Sequence, residues 1–404
     1  MTNIGIVGTG IAGLHLGLFL RQHGISATIY ADRTPDQQRS GRILNNVVRF
    51  EHTRSRERAL GVNHWDGIGP DLESISVSVG GEHPLAFRGH LSQPASYVDM
   101  RLYQATLLED FAARGGDVVY GAVQAEDLVP LSERHDLLVI ASGRGSLIEL
   151  FPRVAEYSPY DRPQRLLSLG FYKGIIADPR DVAFVIAPGH GEVFQTTTYS
   201  FDGNQTALLF EAIPGGAFEV MARMRYEDDP RRFEATALAL LREHARPIYE
   251  RIEPRSFGLT RPLDLLQGAI TPTVRQGYTR LDNGAFALAI GDVQVANDPL
   301  IAQGANTASR SAWSLGEAIL EGGAFDERFC QRAAERIWAY ARGVTEWSNF
   351  MLLPPPPHII RLLAAAGQNQ AIADAFADGF ANPLPTWELL RSPERVAAFL
   401  DAQG

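Results

Sequence analysis

The first apolar run, Ile4-Gly5-Ile6-Val7, passes through Gly8-Thr9-Gly10-Ile11-Ala12-Gly13 into Leu14-His15-Leu16-Gly17-Leu18-Phe19-Leu20. That pattern predicts a strand, a glycine turn and a helix. Gly24 is the expected stop, and Ala27-Thr28-Ile29-Tyr30 the second strand of a βαβ unit. After a polar loop from Thr34 to Gly41, Arg42 to Phe50 reads as a crossing out of this unit, with a short helix from about Arg54 to Leu60. Alternation between Leu72 and Phe87, broken at Gly80-Gly81, predicts a hairpin of a second sheet. Asp99 is placed to cap a helix running to about Ala113, and a strand follows near Val118-Val119-Tyr120. Asp136 to Ala141 is continuously apolar after its first residue, as expected of a buried parallel strand. It ends in Ser142-Gly143-Arg144-Gly145-Ser146, which should lie near the same sheet edge as the first glycine turn.

From Gln164 to Leu209 the pattern becomes strand-rich, with Leu166 to Tyr172, Val182 to Ala187, Glu192 to Phe201 and Thr206 to Glu211 as an antiparallel sheet apart from the first domain. A helix from about Asp229 to Glu250 lies across it. Gln267 to Ile290 returns as strands, with a hairpin turn at Asn283-Gly284. Helices then fill the chain, about Gly304 to Glu321, Asp326 to Trp347 and Pro357 to Ala366, followed by shorter pieces, the last with Ser392 as its cap and Pro393 in its first turn. Pro354 to Pro357 reads as a stiff spacer.

At 404 residues the chain should form two or three domains. A hydrophobic content of 45% with 21% charged residues is that of a soluble globular protein, and a net charge of −10 argues against a nucleic-acid binder. No apolar run reaches the roughly 18 residues of a membrane span. The amino terminus enters a strand at once, without a basic leader, and Cys330 is the only cysteine, so a reducing cytoplasm is expected. Cys330 itself reads as a buried thiol in a helix rather than a reactive one. The ten histidines show no metal-ligand spacing, and no G-x-S-x-G nucleophile turn is present.

Three stretches carry chemistry. In the first, Gly8 allows the tight turn, Gly10 lets a pyrophosphate approach the backbone, and Gly13 lets helix pack on strand, with the phosphates at the helix N-terminus. Asp32 is either the ribose ligand or a solvated loop acid beside Arg33. The second is the helix opening Asp99-Met100-Arg101-Leu102-Tyr103-Gln104. The third is Gly291-Asp292 at a strand end, then Asn297-Asp298-Pro299-Leu300-Ile301-Ala302-Gln303-Gly304-Ala305-Asn306 opening a long helix. A carboxylate there can accept hydroxyl groups of a sugar or ribityl chain, and the helix N-terminus can hold partial negative charge.

The order of these motifs resembles that of FAD-dependent monooxygenases of the aromatic-hydroxylase fold. More closely, the whole chain looks like the oxygenase component of styrene and indole monooxygenases. The likeness is carried by Gly13 to His23, Phe171-Tyr172-Lys173-Gly174-Ile175, Pro188-Gly189-His190-Gly191-Glu192, Gln303-Gly304-Ala305-Asn306 and Ser392-Pro393-Glu394-Arg395. It implies an α/β fold in three parts. Residues 1–44, 96–155 and 270–325 form a Rossmann-like FAD domain, 45–95 and 156–269 an antiparallel-sheet substrate domain, and 326–404 a helical C-terminal region.

The resemblance also implies a two-component system. A separate NADH-dependent reductase supplies reduced FAD, and the flavin C4a-hydroperoxide formed with molecular oxygen epoxidises styrene or the indole 2,3-bond. Other oxygenations on the same scaffold, aromatic hydroxylation or sulfoxidation, and a non-catalytic flavin-binding role stay open. The W-x-W-x-I-P segment associated with halogenases is absent, and Ser142-Gly143 stands where single-component hydroxylases carry Asp-Gly.

By position, the resemblance assigns Gly8, Gly10, Ile11, Ala12 and Gly13 to the pyrophosphate and Asp32 and Arg33 to the ribose end. Arg101 falls to the phosphates or ribityl region, and Asp292, with Gly143 nearby, to the ribityl or pyrophosphate. Pro299, Gln303, Gly304, Ala305 and Asn306 fall along the isoalloxazine edge. Asn45, beside Arg42 and Leu44, is the polar group expected nearest the reacting flavin face. Arg101 could instead be a surface helix residue, and Asn45 could merely satisfy backbone groups. The candidate substrate residues are Leu44, Val47, Leu72, Ile75, Ala95, Phe210, Leu300 and Ile301, each read more readily, taken singly, as ordinary core. Arg49 fits neither the styrene nor the indole pattern and could point to a different substrate or to solvent. No metal and no membrane partner are expected, and a homodimer is plausible from the resemblance alone.

Overall fold

The computed structural model describes residues 2–81, 84–143 and 145–403; Arg144 of the predicted glycine cluster and His83 lie outside them. The first apolar run forms the strand Asn3–Val7, the helix Ile11–Gln22 follows, and the strand Ser26–Ala31 closes the unit. Asn3–Val7 pairs in parallel with Ser26–Ala31 on one side and with Leu137–Ile140 on the other. The strands Tyr278–Arg280, Phe286–Ala289, Leu137–Ile140, Asn3–Val7, Ser26–Ala31 and Asp117–Tyr120 make a six-stranded sheet in that order. Among the described residues only its hairpin strand, Tyr278–Arg280, runs antiparallel to its neighbour. The turn of that hairpin needs Gly284, at φ +89°.

Among the described residues the second sheet has nine strands. The predicted hairpin, Leu72–Val79 with Leu85–Tyr97, and the strands Leu166–Lys173, Asp181–Ala187, Gly191–Ser200 and Gly203–Ala212 all belong to it. The sheet is mixed rather than purely antiparallel, because Leu72–Val79 lies parallel to Asp181–Ala187. Those two strands are far apart in the chain, so no hairpin fixes their direction. Leu265–Ala269 joins the same sheet beside Leu166–Lys173.

Two helices depart from expectation. The predicted helix over 229–250 is broken into Pro230–His244 and Arg246–Tyr249, since Pro247 has no N–H to donate inside a continuous helix. The helix expected from about Arg54 begins earlier, as Glu51–Ala59. Its first turn is fastened from outside: the Asn306 Oδ1 accepts from the Phe50 N–H at 3.1 Å and from the Thr53 hydroxyl at 2.8 Å. Such a cap leaves no local sequence signal.

Gly304–Leu320 packs on the first helix, and the 25-residue helix Glu327–Met351 spans both halves of the molecule. Phe329, Cys330, Ala333 and Ile337 join the core of the six-stranded sheet, whereas Val344 and Trp347 join an apolar cluster against the second sheet. Pro357–Ala366, Gln370–Gly379, Pro383–Leu390 and Pro393–Gln403 complete that cluster. The Ser392 hydroxyl accepts from the Arg395 N–H at 3.2 Å, capping the last helix as expected. Cys330 is fully buried, and its thiol is pushed up to about 12, mainly by burial.

Candidate active site

Three sequence-distant turns meet at the carboxyl edge of the six-stranded sheet. Gly8 adopts φ +116°, and a Cβ built there would lie 2.8 Å from the Ser142 nitrogen. A Cβ on Gly13 would lie 2.2 Å from the Gly8 carbonyl oxygen, so helix and turn touch backbone to backbone. A Cβ on Gly143 would meet the Asp292 Cβ at 2.7 Å, and one on Gly291 would meet the Ala12 Cβ at 3.0 Å. The glycine turn, Ser142-Gly143 and Gly291-Asp292 thus form one rim, with Asp292 exposed on it. Gly10 caps the first helix without a side chain, and that helix carries no acid in its first turn. Its leading N–H groups, near buried Ile11 and Ala12, suit a diphosphate. Farther along, Asp32 is exposed and lies 3.5 Å from the Arg33 guanidinium.

Arg101 is not a surface residue. It is buried, with its guanidinium 2.6 Å from Asp99, 2.7 Å from Asp264 and 3.3 Å from the Gly41 carbonyl. It ties the start of the helix Met100–Ala113 to the 262–265 turn beside the substrate sheet. Arg42 does the same from outside, donating to the Pro262 and Leu265 carbonyls and to Glu227. Both guanidiniums are engaged by the protein itself.

The loop before Gly304–Leu320 has an unusual backbone: Ala302 sits at φ +55°, the one non-glycine residue with positive φ among those described. Gln303 has no side-chain capping bond, Gly304 is exposed with open space where a Cβ would be, and Ala305 is buried. This uncapped N-terminus is available to a polar ring edge. The side chains around it are committed elsewhere. Gln303 donates to the Phe380 carbonyl at 2.6 Å, and Asn306 donates to the Val48 and Ala302 carbonyls. They hold the loop, the crossing segment and the C-terminal helices together. The half-buried Pro299 precedes them.

Leu72, Ile75, Ala95, Leu300 and Ile301 fall in one apolar cluster on the inner face of the second sheet. Phe210 does not, and its assignment is corrected. It pairs with Val193 and packs on Phe218 at 5.6 Å in the layer on the opposite face. Side chains alternate along a strand, so its neighbour Leu209 takes the inner position, opposite Phe194 and Leu169. Leu44 and Val47 are half-buried and Asn45 is exposed in the crossing segment. The adjacent Asn46 anchors that segment, donating to Thr196 Oγ1 at 2.9 Å and accepting from Thr198 Oγ1 at 2.7 Å. Its role had no signal of its own in the sequence, since only the fold brings the two threonines opposite it.

Behind the crossing segment lies a closed polar network. Arg49 donates to Glu57 at 2.6 Å and to the Ser96 hydroxyl at 2.6 Å. The Tyr103 hydroxyl donates to Glu57 at 2.7 Å and meets the His15 Nε2 at 2.7 Å, and the His15 Nδ1 meets Ser309 at 3.1 Å. Arg49 is therefore neither a substrate group nor solvent-facing. Burial, with help from Arg56 and Arg49, holds the His15 imidazole down to about 3. The unfolded chain takes up this proton below about 6.5, and the folded chain does not until about 3, so stability is lost as pH falls through that interval. From pH 7.5 to pH 5, His15 alone should contribute a loss of about 2 kcal/mol. Chemical denaturation of the native chain and of His15→Gln at both pH values checks this; an equal loss in both would remove His15 as the cause.

A second buried group of charges borders the apolar cluster. Arg165 holds both oxygens of Glu192, at 2.7 and 2.9 Å, while Glu211 and Asp298 stand nearby, both buried. Burial, reinforced by Asp298 and Glu192, keeps the Glu211 carboxyl protonated well above the usual range. Burial raises Asp298 to about 7 against the hydrogen bond it accepts from the Leu300 N–H.

Residues 143–251 match the family model described as "Styrene monooxygenase A putative substrate binding domain". Styrene monooxygenase StyA of Pseudomonas fluorescens is 43% identical over 398 residues, covering 97% of this chain and 96% of that protein. Among solved structures, a flavoprotein/dehydrogenase from Cytophaga hutchinsonii superposes with a TM-score of 0.70 at 13% identity, covering 100% of this chain and 99% of the other. The flavin-dependent brominase Bmp2 superposes with a TM-score of 0.65 at 14% identity, covering 99% of both chains. These two share the fold. The full-length identity to StyA goes further: the chain belongs to the styrene monooxygenase family of FAD-dependent oxygenases.

Proposed function

We propose that this chain is the oxygenase half of a two-component enzyme that receives reduced FAD from a separate NADH-dependent reductase and epoxidises styrene or the 2,3-bond of indole. Full-length identity to a styrene monooxygenase carries the reading. The geometry supports it, because a diphosphate cradle and an uncapped helix N-terminus stand beside an apolar cluster that includes Leu300 and Ile301. Bound reduced FAD supplies the two electrons and the activated oxygen; one oxygen atom of O2 enters the alkene and the other leaves as water. The chain's own residues do the rest. The glycine turn and first helix would hold the diphosphate, Asp292 would bind the hydroxylated linker, and the helix at Gly304 would hold the ring edge. Leu72, Ile75, Ala95 and Ile301 bind the apolar substrate and exclude water. No acid–base pair is needed at the alkene carbons. A cytoplasmic location fits an enzyme fed by NADH.

A halogenating role has less to support it despite the shared fold. The chain's single lysine, Lys173, is exposed at the end of the strand Leu166–Lys173 rather than in the apolar cluster.

The test adds anaerobically reduced FAD to the protein and then oxygenated buffer with styrene or indole. Epoxide or indole-oxidation product should form in amounts approaching the reduced flavin supplied. Hydrogen peroxide in full yield, with no organic product from either compound, would overturn the proposal.

A further inference from the structure

Glu211 is fully buried, and neither of its carboxyl oxygens has a hydrogen-bond partner among the described residues. Buried polar side chains are nearly always paired, so this one points to a missing ligand or water. Its surroundings explain why the protein leaves it over. On the same sheet face it lies opposite Glu192 and Leu167. Arg165 already binds both oxygens of Glu192, and Asp298 is occupied with the Leu300 N–H.

The position is also informative. Asp298 directly precedes Pro299-Leu300-Ile301, and Leu300 and Ile301 belong to the apolar cluster with Leu72, Ile75 and Ala95. Phe194, next along the inner face from Glu192, stacks on Phe184 at 4.4 Å, and both lie in or against that cluster. A free carboxyl therefore borders the apolar surface that takes the aromatic ring. In either protonation state it keeps an oxygen able to accept a hydrogen bond.

We propose that Glu211 is a specificity-determining residue, a hydrogen-bond subsite that accepts an N–H or O–H group carried on the aromatic substrate. The inference rests on the epoxidase reading above and adds to it a preference between substrates of equal shape. A ring with a donor pairs the buried carboxyl; a ring without one leaves it unpaired, which binding sites discriminate against strongly. Asp298 and the Arg165–Glu192 pair act as positioning residues, fixing where Glu211 can point.

The probes are indole and indene, which differ by an N–H in place of a CH2 group. Calorimetric titration of the flavin-free protein should show indole binding on the order of tenfold more tightly, the worth of one added hydrogen bond. Glu211→Leu should abolish that ratio, and Glu211→Gln, which retains a carbonyl oxygen, should keep most of it. Equal affinity of the native chain for the two compounds would overturn the subsite, and that comparison needs no variant to fold. An undiminished preference in Glu211→Leu would overturn the assignment to Glu211. Styrene turnover of the same preparation, with reductase and NADH, separates the two readings. Epoxide formation with equal indole and indene affinities removes the subsite alone, whereas failure to oxidise any of the three compounds removes the epoxidase reading and the subsite with it.

Discussion

Glu57→Ala should destabilise the folded chain by about 3–5 kcal/mol, because it strands a buried guanidinium. Arg49 and Glu57 are 2% and 0% exposed in their side chains and 2.6 Å apart. Arg49 also stacks over Trp65 and Tyr103, at 5.7 and 5.3 Å from the ring centres, so it has no route to solvent without repacking both rings. Removing the carboxylate leaves the charge desolvated and the Tyr103 hydroxyl without its acceptor. The double change Arg49→Met with Glu57→Leu should recover most of the loss, since a buried pair contributes little beyond its own desolvation. Urea unfolding of the three chains at pH 7.5 decides it. A single-variant loss below about 1 kcal/mol would show that the pair is not buried as described. The consequence reaches the candidate site: Val48, next to Arg49, gives its carbonyl to Asn306, so loosening the ion pair loosens the start of the helix Gly304–Leu320.

How much of this was legible beforehand depended on the range of the cause. The glycine turn, its flanking strand and helix, the Asn283-Gly284 hairpin and the Asp99 cap are local devices, and each stands where its residues placed it. The parallel pairing of Leu72–Val79 with Asp181–Ala187 is not local, and neither hairpin nor spacing announces it. Phe210 was misassigned for a related reason. A strand shows which residues alternate, but which of its two faces joins the apolar cluster of the other candidate substrate residues is fixed by the helices that cover each face. The same holds for charge. Arg49 and Glu57 lie eight residues apart on a polar-looking stretch, yet the fold closes His15, Tyr103 and Ser96 around them. Asn306 and Gln303 were expected along the flavin edge, and their side-chain amides are bonded to the backbone of distant segments. The family resemblance supplied the chemistry, and the hydrogen bonds of Gln303 and Asn306 show side chains of that motif holding distant segments together.

Two glycine substitutions in the first turn should separate scaffold from binding surface. Gly13→Ala places a Cβ 2.2 Å from the Gly8 carbonyl oxygen, a backbone atom that cannot rotate away. The helix must move off the turn, and stability should fall by about 1–3 kcal/mol together with loss of flavin binding. Gly10→Ala meets only the Ala141 carbonyl oxygen, at 3.8 Å, and the backbone there, φ −69° and ψ 173°, suits any residue. The folded chain should lose no more than about 1 kcal/mol, the cost of a poorer helix cap. Yet on the proposed placement the new methyl group would project toward the pyrophosphate, so affinity for anaerobically reduced FAD should drop on the order of a hundredfold, about 2.7 kcal/mol. Denaturant unfolding without flavin and titration with reduced FAD measure the two effects independently. Native-like flavin affinity in Gly10→Ala would sink the placement of the diphosphate. Equal stability losses in the two variants would show that Gly10, like Gly13, serves the packing of helix on strand rather than the approach of the cofactor.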